Sequence, residues 1–228
     1  MARFSRTIED AALVGHAHAV DPDAVYPQGI GRETHRAARQ IPDAPFRADA
    51  DGRGTDIVRY DAEQGTREVV VAAGQLVPEG DSLPLEIEDY AWSPGGTMLL
   101  VFTNTRPVWR LNTRGDYWVL DRARGQLRQL GGAGAKPSTL MFAKFSPDDR
   151  RVGYVRENNL YVEDLASGAI TALTTDGSRT MINGTFDWVY EEELMNYYAD
   201  GWRWSPDGKR VAYWQLNADS VKDFNLIN

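Results

Sequence analysis

Trp204-Ser205-Pro206-Asp207-Gly208 is a turn sequence with aromatic residues before it and a β-prone run after it. Closely similar pentapeptides occur at residues 92–96 (Trp-Ser-Pro-Gly-Gly) and 145–149 (Phe-Ser-Pro-Asp-Asp). Proline restricts φ to the value that a tight turn needs, and β-branched and aromatic residues favour strands on either side. Each copy therefore predicts a β-hairpin that turns at Ser-Pro.

A second motif alternates with the Ser-Pro turns. It is a strand-like run that ends in Asp and is followed four residues later by Gly. The copies end at Asp61, Asp121 and Asp164 and are followed by Gly65, Gly125 and Gly168. The turn serines recur after 53 and 59 residues, and the last two aspartates are 43 residues apart. Periods of roughly 40 to 60 residues with four short strands per repeat are typical of propeller blades.

The number of repeats predicts an all-β fold, namely a partial β-propeller of about three to four blades, since closed propellers need roughly four to eight. We expect residues 1–45 to be an N-terminal lead-in segment and residues 46–228 to be an incomplete propeller domain. Open blade edges predict that the chain by itself is marginally stable or self-associates. A half-ring that pairs with another chain is the alternative.

Two insertions interrupt the repeat. Compared with the next blade, ten extra residues lie between Val101 and Tyr117. Compared with the connection from Leu130 to Phe145, sixteen extra residues lie between Leu173 and Trp204. Binding groups on repeat scaffolds are commonly carried by such insertions. We therefore expect functional residues in both.

Composition excludes several classes of function. A net charge of -8 argues against nucleic acid and anionic membranes as partners and favours a cationic ligand. The chain has no cysteine, and His16 and His18 have no third ligand at a suitable spacing, so neither a metal nor a cofactor is expected. No apolar run of about 18 residues could span a membrane. The compartment is left open: periplasmic or secreted if a signal peptide was removed, otherwise cytoplasmic.

Two local motifs are set aside. Residues 80–84 (Gly-Asp-Ser-Leu-Pro) begin like a nucleophile elbow but end in Pro, and no strand-to-helix context surrounds them. Asn183-Gly184-Thr185 has the form of a glycosylation acceptor, but we interpret it as the turn that leads into the acidic segment.

The longer insertion contains three consecutive glutamates, Glu191, Glu192 and Glu193. Asp187 can cap a short helix there, and helical residues project about 100° apart, so Glu192 and Glu193 can flank one point while Glu191 faces elsewhere. Two such carboxylates can share one ammonium group. The alternative is a solvated first turn of helix, whose acidic residues the helix dipole stabilises.

The run from Asp187 to Glu193 (Asp-Trp-Val-Tyr-Glu-Glu-Glu), followed by the turn at residues 204–208, resembles the glutamate motif of dipeptidyl-peptidase IV-like serine peptidases of bacterial type, in the prolyl oligopeptidase clan. The resemblance is strongest over residues 181–228 and extends more weakly over 90–180. It implies part of an eight-bladed propeller with a short inserted helix, packed in the parent protein against an α/β-hydrolase domain.

The resemblance also implies a substrate site. Glu192 and Glu193 would bind the free N-terminus of a peptide, and Arg110, in the Trp109-Arg110 pair of the other insertion, would hold a backbone carbonyl. A salt bridge or a cation-π contact is the alternative role for Arg110. Family members release N-terminal dipeptides with Pro or Ala as the second residue.

No Ser, Asp or His of this sequence can be assigned to a catalytic triad. The hydrolase domain is therefore expected outside these residues, and the chain alone is expected to be inactive. Its expected partners are peptides with a free N-terminus and that domain, and homo-oligomerisation is left open. The alternative function is a non-catalytic propeller module that binds a protein or a cationic peptide, because Ser-Pro-Asp-Gly repeats occur in both classes. The glutamate motif favours the peptidase.

Overall fold

The computed structural model describes residues 4–7, 47–48, 54–61, 63–194 and 200–223. These residues form sixteen β-strands and two short helical turns, which confirms the all-β class and the short inserted helix. The chain divides into two compact units. The first comprises Met1–Ala17, Arg106–Arg114 and Gly131–Asn228, and the second comprises His18–Thr105 and Gly115–Leu130. Most of the predicted lead-in, including His16 and His18, lies outside the described residues, so the boundary after residue 45 stays a prediction.

The second unit contains parts of two blades. One sheet consists of β2 (Arg47–Ala48), β3 (Thr55–Tyr60) and β4 (Arg67–Val71), followed by a 3-10 turn at Ala73–Leu76. The other is an antiparallel run of β5 (Asp89–Trp92), β6 (Met98–Val108), β7 (Leu111–Asp121) and β8 (Gln126–Gln129). The hairpin end of β6 and β7, Arg106–Arg114, is assigned to the first unit. The two sheets share one apolar core, which includes Ile57, Val71, Leu76, Leu99, Val101 and Leu120.

The first unit contains a complete four-stranded blade and the start of another. The blade is formed by β9 (Leu140–Phe145), β10 (Arg151–Arg156), β11 (Asn159–Asp164) and β12 (Ile170–Ala172), paired antiparallel in chain order. After it come β13 (Met181–Asn183), a π-helical turn at Val189–Leu194, β14 (Trp202–Trp204), β15 (Arg210–Tyr213) and β16 (Gln215–Asn217). Strand β15 pairs with β14 and with β1 (Phe4–Thr7), and β13 pairs with β16. The core of this unit includes Met141, Val155, Leu160, Val162, Leu173, Trp202 and Val211.

The Ser-Pro turns form hairpins, as predicted. The Ser93, Ser146 and Ser205 hydroxyl oxygens each accept the backbone N–H five residues later, at distances of 3.2, 3.0 and 2.9 Å. Gly96, Asp149 and Gly208, at the equivalent position of each turn, have a positive φ between 61° and 69°. The serine thus satisfies the donor that the reversing chain exposes.

The Asp-Gly turns also form as predicted. The carboxylate of each of the three aspartates accepts a backbone N–H two or three residues later, as from Gln64 to Asp61 (2.8 Å) and from Ser167 to Asp164 (2.8 Å). The closing glycines have φ values of 65°, 62° and 72°, a conformation that side chains disfavour. These local hydrogen bonds set where each outer hairpin reverses.

Candidate functional site

The longer insertion leaves its blade at Thr185 and returns at Asp200, where the two residues form an isolated β-bridge. Gly201 donates its N–H to the Gly184 carbonyl at 3.1 Å. The Trp214 N–H donates to Gly201, and the Gly184 N–H donates to Trp214, each at 2.9 Å. We call these five residues the root of the insertion. Backbone hydrogen bonds therefore join both of its ends to the chain after β15.

The π-helical turn Val189–Leu194 begins with a cap from Asp187. The Asp187 carboxylate accepts the Tyr190 N–H at 3.0 Å, and its backbone carbonyl accepts the Glu191 N–H at 2.9 Å. The capping role predicted for Asp187 is confirmed. The turn is wider than an α-helical one, and single π-helical turns are found frequently at functional sites.

The three glutamates of this turn differ in exposure. Glu191 is buried, with 1% of its surface accessible, whereas Glu193 is exposed. The side chain of Glu192 lies outside the described part of the chain. The turn therefore buries Glu191 and exposes Glu193, which agrees with the expectation that Glu191 faces elsewhere, and the pairing of Glu192 with Glu193 stays a prediction.

An aromatic base supports the turn. The buried Phe186 ring stacks on Tyr190, with centroids 6.1 Å apart, and lies 6.2 Å from the Trp214 ring. Trp188, Tyr190 and Trp214 keep between 38% and 47% of their surface exposed. The acidic turn thus lies beside an exposed aromatic surface, which can contact the apolar parts of a ligand.

Arg110 lies at the end of the β6–β7 hairpin and is exposed. The preceding Trp109 is 56% exposed and has a φ of 55°, an uncommon conformation for a bulky residue. Arg110 and the π-helical turn belong to the same compact unit. The predicted contact of Arg110 with a substrate carbonyl stays a prediction.

Sequence reasoning missed Lys144, the last residue but one of β9. Its ammonium Nζ donates to Asp200 Oδ1 at 2.6 Å and lies 4.2 Å from the centroid of the Trp202 ring. Asp200 Oδ2 also pairs with Arg203 at 2.7 Å. Burial lowers the pKa of Lys144 to about 8, since desolvation outweighs the attraction of Asp200. A single charged residue within an otherwise apolar strand, Leu140–Phe145, was the available signal.

Asn183 is fully buried and bonded to its neighbours. Its amide nitrogen donates to Asp176 and to the Asn158 carbonyl, each at 3.0 Å, and its side-chain oxygen accepts from Gln215 at 2.8 Å. A glycan cannot be attached to this side chain in the folded state. The interpretation of residues 183–185 as part of the turn into the acidic segment agrees with this position.

The described residues contain no group of three or more His, Cys, Asp or Glu side chains arranged to hold a metal ion. Within the same residues, no helix has the length and apolar character needed to cross a membrane.

Comparison with known proteins identifies the family. Residues 93–228 match the family described as the dipeptidyl peptidase IV (DPP IV) N-terminal region. A probable dipeptidyl-aminopeptidase B of Penicillium rubens is 38% identical over 159 residues, which are 69% of this chain and 17% of the relative. Dipeptidyl aminopeptidase B of Saccharomyces cerevisiae is 34% identical over 141 residues, 61% of this chain and 16% of the relative.

Solved structures agree. The crystal structure of Porphyromonas gingivalis dipeptidyl peptidase 4 superposes with a TM-score of 0.58 at 28% identity, over 73% of this chain and 24% of that one. The chain thus spans under a fifth of the length of the two curated relatives described above. It belongs to the dipeptidyl peptidase IV family and carries part of its N-terminal region.

Proposed function

We propose that this chain is the substrate-recognition part of a serine dipeptidyl peptidase that releases N-terminal Xaa-Pro and Xaa-Ala dipeptides. Glu192 and Glu193 bind the free N-terminal ammonium of the peptide, and Arg110 holds a backbone carbonyl beside it. The nucleophile belongs to an α/β-hydrolase domain outside these residues, so this chain by itself is inactive.

The observation that carries the proposal is the division of the glutamates within the capped turn. Asp187 fixes the start of the turn, Glu191 is buried, and Glu193 faces solvent. A cap is common to helical turns of any function, whereas a buried glutamate is not expected of a fully solvated acidic turn. A turn that presents selected carboxylates at a defined place suits a ligand with one compact positive charge.

Charge accounts for the preference for a free amine. At about 4 Å and an effective dielectric constant near 20, each carboxylate attracts an ammonium by roughly 4 kcal/mol before desolvation is subtracted. An acylated N-terminus carries no charge and loses this electrostatic attraction. When the ammonium and one carbonyl are fixed, the peptide bond after the second residue is the one that reaches a distant nucleophile. The distance between the two sites therefore sets the length of the released peptide.

The test uses the full-length peptidase and a chromogenic Xaa-Pro substrate. We expect Glu192→Gln and Glu193→Gln each to raise KM by roughly tenfold or more, because one charge-assisted hydrogen bond is lost. Arg110→Ala should raise KM as well. Glu157→Gln is a matched control, since Glu157 is an exposed glutamate of the same unit, 3.8 Å from Lys136.

Cleavage with unchanged KM by both glutamate variants would contradict the proposal. The same holds if the wild-type enzyme cleaves N-acetylated and free substrates equally well. If the parent protein cleaves neither substrate but binds cationic peptides through the same glutamates, the alternative function as a non-catalytic module is correct.

A further inference from the structure

We infer that Lys144 is a positioning residue for the amine-binding glutamates: from β9 it holds Asp200, the residue at which the insertion that carries them returns to its blade. This inference rests on the proposed function and adds to it a residue that touches no substrate. It explains how an insertion in a loop region can present carboxylates at a fixed place.

Lys144 has several contacts that hold its ammonium group in place, and we call its bond to Asp200 the clasp. Besides the 2.6 Å bond to Asp200, Nζ lies 3.4 Å from the backbone carbonyl oxygens of Phe142 and Trp202. The face of the Trp202 ring covers the ammonium at 4.2 Å. Three acceptors and one aromatic face hold the cation on the side of β9 that faces the root.

Two indole N–H groups add further hydrogen bonds between β14 and β9. Trp202 Nε1 donates to the Phe142 carbonyl at 3.1 Å, and Trp204 Nε1 donates to the Lys144 carbonyl at 3.2 Å. Phe142 has a φ of 54°, and the pairing of β9 with β10 shifts register beside it. A strand irregularity of this kind redirects the local carbonyl, here toward Trp202.

Lys144 differs from the other cation at Asp200. Arg203 pairs with Asp200 from three residues along the chain, so this bond stays within the start of β14. Lys144 lies 56 residues away from Asp200, in the neighbouring blade. Of these two cations, the lysine is the one that ties Asp200 to a second blade.

Loss of the clasp should affect binding more than chemistry. Without the ammonium, Asp200 retains Arg203, and the blade can still form. The root then loses its bond to β9, and the turn Val189–Leu194 can move relative to the substrate. Because a displacement of about 1 Å can cost up to 100-fold in an oriented site, even a small shift is measurable.

The experiment compares Lys144→Met and Lys144→Arg in the full-length peptidase. We expect K144M to raise KM for a free-amine dipeptide substrate roughly tenfold and to leave kcat within about twofold. K144R keeps a cation and should restore most of the affinity. Lys209→Met, which removes an exposed lysine from the Ser205 hairpin turn, is the matched control and should change neither constant.

A second measurement separates positioning from general damage. If Lys144 acts through the glutamates, K144M should add less than about twofold to KM in a Glu192→Gln/Glu193→Gln background, since coupled residues are not additive. Damage to the whole propeller would instead raise KM by the same factor in the glutamate double variant as in the wild type. An equal fold-change in KM in both backgrounds therefore overturns the inference.

The pH dependence gives a third measurement. Burial lowers the pKa of Lys144 to about 8, and among the described residues the charged groups that face it are Asp200 and Arg203. The α-amino group of the substrate also titrates at about 7.7–8.0. Comparing the wild type with K144R cancels the substrate term, because the guanidinium stays charged. If the ammonium positions the glutamates, the ratio of wild-type KM to K144R KM should rise once the lysine loses its proton, and a ratio that falls with rising pH overturns the inference.

These results also distinguish the two proposals. Unchanged KM in the glutamate variants refutes the proposed function itself. Raised KM in those variants, with unchanged KM in K144M, refutes only the role of Lys144. If K144M lowers the melting temperature of the enzyme, the comparison of K144R with the wild type at different pH values decides whether Lys144 positions the glutamates. Both of these proteins carry a cation at residue 144 at neutral pH.

Discussion

Gly201→Ala tests whether the root of the insertion depends on close backbone contact. A Cβ built on Gly201 lies 2.9 Å from the carbonyl carbon of Gly184 and 3.0 Å from the backbone nitrogen of Thr185. Both neighbours are backbone atoms, so no side-chain rotation can relieve the contact. The two chain segments must separate.

The expected loss of stability follows from these contacts. Overpacking in a tight site typically costs about 1–3 kcal/mol. Separation also stretches the hydrogen bond from Gly201 to Gly184, which is 3.1 Å long, and a lost bond of this kind costs about 1 kcal/mol. We therefore expect Gly201→Ala to lower the free energy of unfolding by about 2–4 kcal/mol.

Urea unfolding followed by tryptophan fluorescence measures the effect, since Trp214 belongs to the root and Trp202 directly follows Gly201. Gly134→Ala is the matched control, because a Cβ at Gly134 meets no atom within 4 Å. That change should be neutral or stabilise by up to about 1 kcal/mol, through the unfolded chain. Equal unfolding midpoints for the two variants would refute the tight contact at the root.

Three other predictions concern stability. A hydrogen bond from the Ser167 backbone N–H lowers the pKa of Asp164, and one from the Ser205 hydroxyl lowers the pKa of Asp207. The unfolded state therefore binds more protons than the folded state, so the melting temperature should fall as the pH drops below about 4. A constant melting temperature would contradict this. Leu160→Ala, in the core of the first unit, should cost about 2–5 kcal/mol in urea unfolding, whereas Leu83→Ala, 67% exposed, should cost under about 0.5 kcal/mol. Ser146→Ala leaves the Arg151 N–H without its 3.0 Å acceptor in a hairpin turn and should cost about 1–2 kcal/mol, and an unchanged urea midpoint would show that the hydroxyl is dispensable.

The hairpins could be predicted because their determinants are local. At Ser146 the hydroxyl bonds a backbone N–H five residues away, and at Asp164 the carboxylate bonds one three residues away. Such bonds depend on a short segment and recur wherever the same residues recur. The pairing of Phe4–Thr7 with β15 has no such signal, since it joins segments about 200 residues apart.

In the candidate site, too, local features could be predicted and contacts between distant segments could not. The Asp187 cap and the different direction of Glu191 from Glu193 follow from helix geometry over a few residues and were predicted, whereas the burial of Glu191 was not. The contact between Lys144 and Asp200 depends on two adjacent blades and on the irregularity at Phe142. Spacing in one sequence does not encode which side chains of neighbouring blades meet, so this pair became visible only in the structure.

The insertion also bears on how a repeat scaffold builds a precise site. Loops usually move more than the strands that carry them, yet a bound ammonium requires placement to about 0.5 Å. Here both ends of the insertion meet at the Thr185–Asp200 bridge, and Asp200 is tied to β9 through Lys144. The bridge and the bond from β9 therefore hold both ends of the insertion that carries the acidic turn, although its residues interrupt the repeat. If Glu192 and Glu193 bind the substrate amine, selectivity for a free N-terminus depends on the root as much as on the carboxylates.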